Sequence, residues 1–313
     1  MQGLELARKY YDMYGAPMLR EQFPELENVV AVGLCGSGSE CFGFDDDVSH
    51  DHDFEPGFCL FLPDESVVDR QTSFRLERAY AKLPREFAGF RRALVSPVGG
   101  SRHGVLRTAD FFTEKCGVPG GDLTAAQWLS VPSYALAEAV NGEIFRDDYG
   151  EVTAIRQKLC EMPQDARLKK LAGHLLLMAQ AGQYNYARCL AHSEKGAAQL
   201  AVCEFVRSTI AVVFLLNRRH MPFYKWSLRA MRSLPELSEL ADTMECLLTT
   251  DNDEPMDAVK QELIEDTASA VIDALSRQSL TDAICGDLEK HAYSVHDRIA
   301  DPALRNLHIL SAV

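Results

Sequence analysis

The sequence predicts an α+β domain on a mixed sheet, followed by an all-α helical bundle domain. Three observations carry that expectation. Residues 28–35 form a short, β-branched apolar run closed by glycines, the pattern of a buried strand. Strand-like and helix-like segments alternate up to about residue 150. Beyond that point apolar residues recur at three- and four-residue spacing, and strand-like alternation nearly vanishes.

In chain order, residues 4–19 have helical spacing that ends near Pro24. The strand at 28–35 runs into a glycine- and serine-rich turn and then an acidic loop at 45–47. A second strand is expected over 52–62, stopped by Pro63, and a charged amphipathic helix over 66–83. Further strands are expected at 90–95, 104–107 and 143–145, making a sheet of about five. Helices follow at 168–181, 197–216, 225–231, 237–248 and 258–275, with an exposed loop at 249–256. The boundary falls between 150 and 165, where Pro163 punctuates the chain, giving a catalytic domain at 1–155 and a helical domain at 156–313.

Composition narrows the function classes. The formal net charge of −14 repels phosphate backbones and anionic lipid, which argues against nucleic-acid or membrane partners. No run of eighteen or more apolar residues is present, and the first residues lack the basic-then-apolar pattern of a secretory signal. Nine scattered cysteines without a Cys-x-x-Cys pair fit reduced, structural thiols in a cytoplasmic protein.

The chemistry concentrates in Gly36-Ser37-Gly38-Ser39-Glu40-Cys41-Phe42-Gly43 and in Ser49-His50-Asp51-His52-Asp53-Phe54. A phosphate-binding loop of Walker type needs a lysine that this turn lacks, and a dinucleotide fingerprint needs a glycine where Cys41 stands. No Gly-x-Ser-x-Gly elbow passes through Ser37 or Ser39. In an extended segment, Asp51 and Asp53 share one face while His50 and His52 share the other. Two such carboxylates make a hard oxygen site suited to Mg²⁺, which also takes phosphate oxygens. A glycine-serine turn beside them lets backbone N–H groups approach phosphate. Ser39 can alternatively cap a helix at 40–42. His50 and His52 read as packing or exposed residues, and Cys35, Cys41 and Cys59 as small buried ones.

Gly38-Ser39, followed after eleven residues by Asp51-x-Asp53, resembles the nucleotidyltransferase superfamily of polymerase-β type. Residues 141–147 are similar to a strand that closes many such catalytic domains. Gln183-Tyr184-Asn185-Tyr186-Ala187-Arg188 and the stretch from Leu216-Asn217 to Lys225-Trp226 are similar to the helical domain of antibiotic-nucleotidyltransferase-like bacterial proteins. The resemblance implies a mixed-sheet nucleotidyltransferase fold and a Mg²⁺-dependent enzyme, with Mn²⁺ as a substitute. Such an enzyme transfers a nucleoside monophosphate, AMP from ATP, to an acceptor hydroxyl on a small molecule or protein and releases pyrophosphate. Asp51 and Asp53 are then catalytic residues and metal ligands, and Gly38, Ser39, Arg188 and Lys225 nucleotide-binding residues. Arg188 and Lys225 read equally well as surface residues of the bundle, and Tyr224 and Trp226 as core.

Active members carry a third carboxylate on a later strand. Here the expected strands at 90–95 and 104–107 contain no acid, which leaves Asp110, Glu143 and Asp147. Its absence would suit a nucleotide-binding regulatory or toxin–antitoxin-type partner without turnover. A phosphohydrolase using residues 50–53 is a third reading.

Overall fold

Two short strands without an exposed residue, β1 (Ala31–Leu34) and β2 (Cys59–Leu62), organise the first half of the chain. The computed structural model describes residues 1–48, 54–92 and 103–313. These divide into two compact units, residues 1–123 with 135–160, and residues 124–134 with 161–313. The first is α+β and the second is helical.

In the first unit, β1 pairs antiparallel with β2 on one side and with β6 (Glu143–Arg146) on the other. β2 pairs in parallel with β5 (Gly104–Arg107), so the sheet is mixed and its order is β5-β2-β1-β6. Side chains alternate across it. Val32, Phe58, Leu60 and Leu62 pack with Tyr10, Tyr11, Leu19, Leu76 and Tyr80 in one cluster. Those partners come from α1 (Gly3–Tyr10), a π-helical turn (Tyr11–Gly15), α2 (Ala16–Gln22) and α3 (Arg70–Ala81). Each fully buried Leu or Phe contributes about 2–3 kcal/mol. The π turn falls just before Pro17, which has no N–H to donate to the preceding turn and whose ring would crowd its carbonyl.

Several boundaries differ from the sequence expectation. Residues 52 and 53 of the strand expected at 52–62 lie outside the described residues, and among the described ones β2 begins at Cys59, not at 54. Pro56 has no N–H, and the Tyr80 hydroxyl accepts from Phe58 N at 3.1 Å; Phe58 O accepts both from that hydroxyl and from Gly104 N, at 2.9 Å each, so only its N–H is withheld from the sheet. Helix α3 starts at Arg70 rather than at 66, because Asp69 caps it by accepting from Thr72 N at 2.7 Å. Of the strand expected at 90–95, residues 93–95 lie outside the described residues; among the described ones, β4 (Phe90–Arg91) pairs with β3 (Glu86–Phe87) in a separate hairpin. The main sheet therefore has four strands among the described residues, not five. Several helices were not expected: α4 (Thr108–Cys116), α5 (Ala125–Ser130), α6 (Ser133–Val140), α7 (Glu151–Cys160), α14 (Leu288–Asp297) and α15 (Pro302–Arg305). Each has ten residues or fewer and so offers few turns of apolar periodicity, although the Thr124/Gln127 capping box that starts α5 is visible in the sequence.

The second unit contains α8 (Gln164–Met178), a π-helical segment (Ala179–Tyr186), α9 (Ala187–Ala191), α10 (Lys195–Leu216), α11 (Tyr224–Met231) and α12 (Leu240–Thr249). It ends with α13 (Met256–Arg277), α14 (Leu288–Asp297) and α15 (Pro302–Arg305). Helix α10 is long and apolar enough to cross a membrane, but most of its apolar stretch is buried against α8 and α12 in the bundle core. Three buried cations tie the bundle to its connections through neutral acceptors. Arg167 donates to Leu215 O at 3.1 Å, and Lys169 to Leu307 O at 2.6 Å. Lys260 donates to Gln199 Oε1, Thr250 O and Asn252 Oδ1 at 3.0, 2.8 and 2.9 Å. Asn252 is consequently buried, so the loop expected to be exposed at 249–256 is anchored at its centre, while Asp251, Asp253 and Glu254 face solvent.

His174 on α8 is held neutral. Burial, reinforced by Arg207 and Lys170, pushes its pKa down to about 3. Below the ordinary histidine pKa of about 6.5 the unfolded chain takes up a proton that the folded chain refuses, so stability falls as pH drops toward 3. Between pH 7 and pH 5 this group is expected to remove on the order of 2 kcal/mol. Urea unfolding at both pH values checks it: His174→Gln should show a smaller loss than the unaltered chain, and equal losses would refute it.

Candidate functional site

The turn at residues 36–39 leaves the end of β1, and β2 begins beside it, since Gly33 stands opposite Cys59. The segment leading into β2 therefore enters at the same end of the sheet. Asp51 and Asp53, with His50 and His52, lie outside the described residues.

Gly36 and Gly38 both have positive φ, 117° and 138°, conformations that L side chains rarely adopt. A Cβ on Gly38 would fall 2.3 Å from Oε1 of Glu40. Residues 40–42 form a single 3₁₀ turn, Glu40–Phe42, closed by Gly43. Ser39 stands at its N-cap but makes no side-chain capping bond, so the capping reading of its hydroxyl is not what is observed. Its backbone oxygen instead accepts from Phe42 N at 3.1 Å and Phe44 N at 2.9 Å.

The residues ahead of β6 hold this turn from the other side. Asn141 Oδ1 accepts from Gly36 N at 2.8 Å, and Asn141 Nδ2 donates to Gly36 O at 2.8 Å. Gly142 N donates to Cys41 O at 2.8 Å. The acids nearby have a structural task. Asp45 accepts from Gly3 N at 2.8 Å, capping the positive end of α1, and Glu40 is buried close to Gly3.

A cavity of about 300 Å³ opens beside the turn. Gly36, Ser37, Glu77, Arg107, Asp110 and Lys115 are among its lining residues, whereas Gly38 and Ser39 are not. The turn carries two consecutive Gly-Ser pairs, and the one nearer the strand end is the one that faces this space. That position after the strand was the available sequence signal for Ser37.

The three acids named from sequence are now distinguishable. Glu143 pairs with Arg8. Asp147 accepts from Gly150 N at 2.9 Å and Thr153 N at 2.7 Å, at the start of α7 (Glu151–Cys160). Asp110 is exposed and lines the cavity, with no bond to the other described residues. Lys115 is paired with Glu138 at 2.9 Å and Glu114 at 3.1 Å; burial opposes its charge, but these ion pairs outweigh burial and raise its pKa. Just ahead of β5, buried His103 has its Nδ1 3.4 Å from Oε1 of the half-buried Glu55, a pair that sequence reasoning missed because nothing in the pattern joins positions so far apart. Burial pushes the Cys35 thiol up to about 11 and the Cys59 thiol well above its usual range, so neither serves as a nucleophile at neutral pH.

Arg188 and Lys225 lie in the second unit, both exposed. The Arg188 guanidinium carbon is 5.0 Å from the Tyr184 ring centroid, and Lys225 Nζ is 5.1 Å from that of Trp226. Trp226 is partly buried and Tyr224 is exposed, so Tyr224 is not a core residue. Among the described residues, no group of three or more His, Cys, Asp or Glu side chains is placed to hold a metal ion.

Residues 128–227 match the family model described as DUF4037, a domain of unknown function. The matched stretch runs from within α5 to within α11 and includes Asn141, Arg188 and Lys225. No curated protein and no solved structure matches the chain.

Proposed function

We propose that the chain is a Mg²⁺-dependent nucleotidyltransferase of polymerase-β-type fold, transferring AMP from ATP to an acceptor hydroxyl with release of pyrophosphate. The observation that carries this reading is the glycine turn at the end of a buried central strand. Two positive-φ glycines keep Cβ atoms away from its backbone, and a cavity lies alongside. The antiparallel partner β2 begins at the same sheet end, and the Asp51-x-Asp53 sequence precedes it by a few residues. Such a turn offers backbone N–H groups to phosphate oxygens.

Asp51 and Asp53 would hold Mg²⁺, which when bound supplies neutralisation of the triphosphate charge. Asp110 is the best-placed acid to take the acceptor proton: it lines the cavity and carries no ion pair with other described residues, whereas Glu143 and Asp147 are already engaged. Residues 1–155 are the proposed catalytic domain, 156–313 the helical domain, and the cytoplasm, where ATP is available, the proposed compartment.

The exposure of Asp110 favours a second reading, a nucleotide-binding regulatory or toxin–antitoxin-type partner that binds without turnover. Incubation with ATP, Mg²⁺ and hydroxyl-bearing acceptors separates the readings. Pyrophosphate release supports the transferase, binding without release the regulatory partner, and inorganic phosphate a hydrolase working through residues 50–53.

Lys225 tests whether the helical unit takes part. Lys225→Met keeps much of the alkyl stem and deletes the charge. If the ammonium stabilises charge at the reacting phosphate, turnover should fall about 100-fold with melting unchanged. Unchanged pyrophosphate release would remove Lys225 from the site.

A further inference from the structure

We propose that Asn141 is the positioning residue of the phosphate-facing turn, holding Gly36 so that Ser37 is presented to the nucleotide; this rests on the nucleotidyltransferase reading. The register of β1 and β6 sets Leu34 opposite Glu143, so the continued ladder would set Gly36 opposite Asn141. The backbone cannot continue that ladder, because Gly36 and Gly142 both turn away at positive φ, 117° and 64°. The Asn141 side-chain amide takes over both ladder positions, accepting from Gly36 N and donating to Gly36 O at 2.8 Å each. A primary amide has one acceptor and one donor at the spacing of a peptide unit, so it substitutes for a strand neighbour where the chain bends.

The consequence reaches the cavity. With Gly36 fixed at both its polar groups, its neighbour Ser37 is held at the cavity wall without bonds of its own being needed for that placement. A turn that must receive a triphosphate gains from being ordered beforehand, since binding then spends less on ordering it. Asn141 touches no nucleotide in this scheme and acts only through Gly36.

Asn141→Ala removes both bonds. It should weaken Mg-ATP binding about 10- to 30-fold, the scale of two ordinary hydrogen bonds, and speed hydrogen exchange of the amides at residues 36–39 by a similar factor. Asn141→Asp keeps the shape and the acceptor for Gly36 N but has no donor for Gly36 O, and it carries the test if the alanine variant does not fold. A merely structural asparagine would lower the melting temperature and leave affinity alone. Affinity within twofold of the unaltered chain in a folded variant therefore overturns the proposal. If the unaltered chain binds no Mg-ATP, the nucleotide reading fails, and exchange alone decides the positioning role: unchanged protection at 36–39 overturns it, and faster exchange upholds it.

Discussion

Gly142→Ala is expected to destabilise the first unit by about 3 kcal/mol, the sum of a left-handed backbone penalty and an overpacking penalty. Gly142 has φ 64°, and a Cβ built there would lie 2.0 Å from Leu34 O and 2.9 Å from Cys35 Cα. Both neighbours are backbone of, or next to, the central strand, so no side-chain rotation relieves the clash. β1 and β6 would have to part where Leu34 and Glu143 pair. Gly150→Ala is the matched control. Its φ is 80°, but nothing lies within 4 Å of the added Cβ, so only the backbone penalty of about 1 kcal/mol applies. Urea unfolding of the two variants gives the comparison. Equal losses would show that the close approach of residues 34 and 142 carries no energetic weight.

What the sequence revealed of this fold follows the strength of its local signals. The α+β first half, the β1 segment, β5, β6 and the long bundle helices were legible because burial imposes a period or an unbroken apolar run. The start of β2 was not, because it depends on a tertiary event: the Tyr80 hydroxyl takes the Phe58 N–H from 22 residues away. The same holds for the loop at 249–256, whose acidic residues announce exposure while Asn252 is drawn inward by the buried Lys260. Helices α4 to α7, α14 and α15 were missed: each has ten residues or fewer, so few turns of apolar periodicity were there to read, although the eight-residue α11 was found.

At the site, the glycine turn was legible and its support was not. Asn141 lies 105 residues from Gly36, and only the β1–β6 register brings them together. Choosing between the two Gly-Ser pairs likewise needed the cavity, which Gly36 and Ser37 line. Among the acids, occupancy rather than residue type separated Asp110 from Glu143 and Asp147, and occupancy is a property of packing.

The second large effect concerns the acidic pair. Asp51→Asn and Asp53→Asn each delete a charge with little change in volume. Each should weaken Mg-ATP binding by at least about 100-fold, because even the outer-sphere partners of metal ligands are worth 10- to 100-fold. Thermal melting should be unaffected, since neither change removes apolar packing. Calorimetric titration of Mg-ATP into the unaltered chain and both variants is the most direct test of the nucleotidyltransferase reading. Saturable, Mg²⁺-dependent binding by the unaltered chain, lost in both folded variants, is the expected result. Binding of equal strength in all three proteins, or none by the unaltered chain, would contradict it.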